Sequence, residues 1–140
     1  MMAICERLTK EEASAVVANG DDVRSFTQQG VADLYDLLKS DPKFLEGALV
    51  ADKIVGKGAA ALLIKGGVKK VYANTISDGA LALFFNESDI IVTYNEKVPY
   101  IKNQTKKGWC PLEELCKEET TVETILPKID SFIKESKAAK

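Results

Sequence analysis

Four groups of residues in this chain have side chains suited to chemistry. Asp52 and Lys53, with Lys57 four positions on, stand where an apolar run passes into a stretch rich in small residues. Ser77 and Asp78 stand at a second such passage, Asn103 and Thr105 lie in a polar stretch, and Cys110 and Glu113 flank Pro111. Asp52 and Lys53 are candidates for an acid–base or substrate-orienting pair, and the first amides of a helix behind them can receive a phosphate or carboxylate. The plainer account of the same residues is an N-cap and a solvated lysine. Lys57, one helical turn beyond Lys53, would put two cations on one face, which shifts the balance toward anion binding. Ser77 reads first as a helix cap and second as a ligand contact, with Asp78 beside it.

Cys110 precedes Pro111 at the expected start of a helix, downstream of Lys106 and Lys107, where dipole and charge both favour a thiolate. Packing beside Trp109 is the competing account, and the chain contains no histidine to act as the thiol's base. Glu113 is a candidate proton-transfer group or a favourable charge in a first helical turn. Asn103 and Thr105 offer hydrogen bonds to a ligand or shape their own loop. Gly56 and Gly58 resemble phosphate-binding glycines, but close helix packing explains them better. With no histidine, and with Cys5, Cys110 and Cys116 in neither a disulfide pattern nor a CxxC pair, no metal site and no cofactor are expected.

The elements that must hold these residues can be read from the same chain. At 140 residues, one domain is expected, since folding at this size buries roughly 68% of the unfolded surface. Residues 2–12 form an amphipathic helix, and 14–18 and 23–27 a hairpin around Asn19-Gly20. A helix opens after Gly30 and stops at Ser40-Asp41-Pro42. A strand over 48–51 then passes, through Asp52 as cap, into a helix over 54–65 that Gly66-Gly67 ends. Strand 68–75, helix 79–85, strand 90–94 and an edge segment 98–101 follow. Residues 112–117 form a short helix, and the stripe Val122, Ile125, Leu126, Ile129, Phe132 and Ile133 marks a C-terminal helix over about 121–137, with Pro127 requiring a kink or a late start.

The formal charge of −2, from 19 basic and 21 acidic residues, disfavours nonspecific binding to nucleic acid or an acidic membrane. No apolar run approaches the roughly 20 residues that span a bilayer, and acidic residues stand where a signal peptide would be basic. A cytoplasmic location is expected.

The stretches VADKIVGKGAA, GGVKKVYANTIS and VPYIKNQTKKGWCPLEE, in that order over residues 12–117, resemble an uncharacterised prokaryotic-type domain family of the cytidine deaminase-like superfamily. The resemblance implies a three-layer α/β/α fold around a mixed sheet of about five strands, with functional groups at the amino ends of two adjacent helices. Deaminases of that superfamily hold zinc through H-x-E and P-C-x-x-C. Here Asp52-Lys53-Ile54 and Ser77-Asp78-Gly79 occupy the corresponding helix starts, so zinc-bound water is not available to the chemistry. The expected function is a zinc-independent pocket for a nucleotide-like or anionic metabolite, with Asp52, Lys53, Cys110 and Glu113 as catalytic candidates. Lys57, Ser77, Asp78, Asn103 and Thr105 are the binding candidates. The rival readings are a non-catalytic sensor or homo-oligomeric scaffold, joined through edge strands near 98–101, and thiol chemistry at Cys110.

Overall fold

The run Leu-Val-Ala-Asp-Lys-Ile-Val, apolar at both ends and β-branched at three positions, forms the central strand, β3 (Leu49–Val55). It pairs antiparallel with β1 (Ala15–Asn19) and parallel with β4 (Lys70–Ser77). Adding β2 (Asp22–Phe26) and β5 (Ile91–Val98) gives a mixed five-strand sheet in the order β2-β1-β3-β4-β5. The computed structural model describes residues 2–10, 14–26, 32–101, 111–116 and 118–138.

Helices flank the sheet on both faces, unequally, in an α/β/α arrangement. On one face α1 (Met2–Lys10) seats Ile4 and Leu8 against Val16, Ala18 and Ala51. The other face carries the main core, which takes in α2 (Ala32–Ser40), α3 (Pro42–Leu45), α4 (Lys57–Gly66), α5 (Asp78–Glu87), α6 (Pro111–Cys116) and α7 (Val122–Ala138). At its middle lies α4, whose Ala59, Ala60, Ala61, Leu62 and Leu63 are buried. Its small residues admit close neighbours: a Cβ at Gly66 would come within 2.8 Å of the Leu45 side chain.

Several boundaries differ from the sequence reading. The hairpin forms with Gly20 at φ +62, but the turn is Gly20-Asp21, since Asn19 pairs with Asp22. Asn19 instead donates to the carbonyls of Phe44 and Glu46 at 2.8 and 3.0 Å, tying the hairpin to α3. That helix was not anticipated; Pro42 begins it, as proline at a first helical turn can. The segments 90–94 and 98–101 are replaced by one eight-residue strand, β5, paired with β4 from Ile91 to Val98. Pro127 lies inside α7 while Ile125, Ile129 and Ile133 keep its buried stripe.

The largest correction concerns the passage after β3. The strand continues through Asp52, Lys53 and Ile54 to Val55, because Ile54 and Val55 pair with Thr75 and Ile76 of β4. The ladder, together with β-branched side chains, outweighs the capping preference of Asp52. The helix starts at Lys57 and its N-cap is Gly56.

Candidate functional site

Gly56 has no side chain with which to satisfy the first amides of α4. Glu113, on α6, does so instead: its carboxylate accepts from the Lys57 N–H at 2.8 Å and from the Gly58 N–H at 3.2 Å. The approach is close enough that a Cβ at Gly56 would lie 2.3 Å from the Glu113 carboxylate. Burial pushes the Glu113 carboxyl above its ordinary range, and the two amides and Lys57 pull the other way.

Lys57 completes an exchange between the two helices. Its Nζ donates to the carbonyls of Cys116 and Glu119 at 3.4 and 2.7 Å, at and just beyond the end of α6. Its methylenes run over Gly79, where a Cβ would meet Lys57 Cε at 2.5 Å. Each helix therefore satisfies groups that the other's terminus leaves open. Cys116 is buried in this contact, and desolvation followed by the Glu113 charge pushes its thiol up to about 11. Such a thiol is protonated at neutral pH.

Asp52 occupies a different environment. It lies within β3, four positions before Gly56, a rise of about 13 Å along a strand. Alternation sends it to the face of Val50, in the main core, and sends Lys53 to the opposite face. Asp52 is buried and Lys53 is exposed, so the two do not form the acid–base pair expected of them. Lys53 and Lys57 likewise share no helical face, because one is on a strand. The Asp52 Oδ1 accepts from the Ile54 N–H at 3.3 Å, while the Lys53 N–H donates to the Ser14 carbonyl at 3.0 Å. Burial outweighs the Ile54 bond and pushes the carboxyl from 3.8 up to about 7.

Ser77 is the N-cap of α5, and its Oγ accepts from the Ala80 N–H at 3.1 Å. Asp78 is exposed in the first turn, 3.7 Å from Lys97 at the end of β5. Asn103, Thr105 and Cys110 lie outside the described residues. The structure thus joins Lys57 to Glu113 at one helix start, places Ser77 and Asp78 at the neighbouring start, and holds Asp52 apart in the sheet. Among the described residues, no three carboxylates or thiols gather as a metal site would require. Nor is any helix there long and apolar enough to cross a membrane.

Two features had no signal in the sequence. Gly79 and the Cys116 carbonyl meet Lys57 from elements that follow it later in the chain, α5 and α6. A groove of about 980 Å³ also lies between α2, α4 and α7, with Leu38, Leu62 and Leu126 but none of these residues in its lining. Beside it the Tyr35 hydroxyl bonds Asp130, 95 positions away.

Over residues 3–133 the chain matches the family described as TM1506, a domain of unknown function (DUF1893). Its fold is similar to the crystal structure of a DUF1893 family protein, TM1506, from Thermotoga maritima at 2.70 Å resolution, with 32% sequence identity and a TM-score of 0.85. That match covers 93% of this chain and 87% of the other. Among curated proteins none matches.

Proposed function

The chain belongs to the DUF1893 family, a domain of unknown function, and we propose that it is a cytoplasmic small-molecule-binding domain with Asp52 as its working group. In this reading it is a zinc-independent relative of the cytidine deaminase-like superfamily. The observation that carries the proposal is a buried carboxyl on the central strand, bonded to the Ile54 amide and pushed by burial up to about 7. A chain without histidine has few other ways to move a proton near pH 7, and burial is a recognised means of tuning a carboxyl for it.

Glu113 already occupies the first amides of α4, which argues against a simple anion at that helix start. A carboxyl that is half protonated near pH 7 can both donate and accept, which suits the ring-nitrogen and N–H edge of a nucleotide-like molecule. The test is thermal shift of the full chain against nucleobases, nucleosides, nucleotides, phosphate and citrate. Compounds that carry a base should raise the melting temperature by mass action, and Asp52→Asn should abolish the shift while remaining folded. Silence across the panel, or an undiminished shift in Asp52→Asn, would overturn the proposal.

A second reading, a non-catalytic scaffold, is favoured by one observation: Lys57, Glu113 and Ser77 all bond within the chain. It predicts a silent panel, together with lost stability and no lost binding in variants of those three residues.

A further inference from the structure

β5 closes one side of the sheet with eight residues, and among the described residues no strand pairs with its outer edge. Such an edge is a row of N–H and C=O groups ready to template another strand, and natural proteins commonly blunt it with shortness or charge. The opposite edge is blunted in that way. β2 has five residues, and its Arg24 reaches Asp22 and Asp41 at 3.0 and 3.3 Å. β5 is longer and uncharged from Ile91 to Asn95. Ile91 is 56% and Tyr94 43% exposed, and on α5, which packs beside β5, Phe85 is 86% exposed.

The charges favour a second copy of this chain as the occupant. A two-fold axis perpendicular to the sheet brings β5 antiparallel to itself and keeps each face continuous. With the axis at Tyr94, that residue meets itself, Thr93 lies opposite Asn95, Val92 opposite Glu96, and Ile91 opposite Lys97. Asp89 of the second copy, two residues ahead of its Ile91, is then carried to the Lys97 end of the strand, a span that long side chains bridge, and the symmetry makes the contact twice. Lys97 already stands 3.7 Å from Asp78, so it would lie between two carboxylates. Moving the axis to Asn95 would instead put Glu96 diagonal to its own copy. The strand is thus complementary to itself in the first register and self-repelling in the second.

We propose that β5 is a homodimer interface, with two chains joining their sheets through antiparallel β5 strands about a dyad at Tyr94. This is independent of any ligand at Asp52. Sedimentation of the full chain should show a dimer at tens of micromolar. Tyr94→Lys sets like charges at the dyad and should weaken association about 100-fold, leaving the circular dichroism spectrum unchanged. Lys97→Glu and Asp89→Lys should each weaken it about 10-fold, and their combination should restore it. A monomer at every concentration up to roughly 100 µM, where a specific interface of ordinary affinity would be populated, would overturn the proposal. So would a Tyr94→Lys dimer as tight as the parent. Should Tyr94→Lys fail to fold, the charge exchange decides alone: failure of the combined variant to recover overturns the pairing.

Discussion

The two parallel strand–helix units, β3–α4 and β4–α5, align position for position. Val50 pairs with Val71, Asp52 with Ala73 and Val55 with Ile76, and the next residue in each unit, Gly56 or Ser77, is the N-cap of the following helix. A charged residue, a glycine and an alanine then follow in both, Lys57-Gly58-Ala59 and Asp78-Gly79-Ala80. With so much in common, the differences are informative. The second unit caps its helix locally through Ser77, whereas the first leaves its cap bare and receives Glu113 from 57 positions downstream. The first unit also carries a buried acid where the second has alanine. A local cap holds one helix in place; a remote cap also fastens a second helix to it.

The largest expected effect tests the acid. The folded-state carboxyl of Asp52 titrates near 7, above its ordinary 3.8, so its contribution favours the fold at low pH and is lost as pH rises between those values. Urea unfolding of the parent should therefore lose up to about 4 kcal/mol from pH 4 to pH 8 through this group, and Asp52→Asn should remove that slope. Next comes the remote cap. Glu113→Ala strands two amides, one buried and one half-buried, and should cost about 3 kcal/mol by the same measurement. Gly56→Ser, which transplants the local cap, should destabilise the parent, because its Cβ would lie 2.3 Å from Glu113, yet should recover part of the loss in the Glu113→Ala background. Additive effects would show that the two caps do not compete. The smallest effect belongs to the second unit: Ser77→Ala should cost about 1 kcal/mol in thermal or urea unfolding, with no change across pH.

These differences also explain how much could be read in advance. Ser77 was legible because a cap and its amide are neighbours in sequence, and the C-terminal stripe was legible because helical periodicity is local. The mixed five-strand sheet was legible through the family resemblance, which implied it. The first unit misled, since Asp52 has the side chain of a cap and Gly56 does not. Only the ladder to β4 and the arrival of Glu113 decide between them, and both depend on contacts distant in sequence. For the same reason Lys53 and Lys57 looked like a pair. Glu113 stood out as a charge in a first turn, but its partner was invisible until α6 lay on α4. Asn103, Thr105 and Cys110 lie outside the described residues.

Among the described residues α1 alone packs on the second face of the sheet, and that has a consequence during synthesis. Ile4 and Leu8 of α1 leave the ribosome well before Ala51, the central-strand residue against which they pack. At about 5–20 residues per second that interval lasts roughly 2–10 s. During it the apolar side of α1 can shelter only against the nascent β1–β2 hairpin, whose Val16, Ala18 and Val23 belong to the same cluster, so this stretch stays open to a chaperone until β3 arrives.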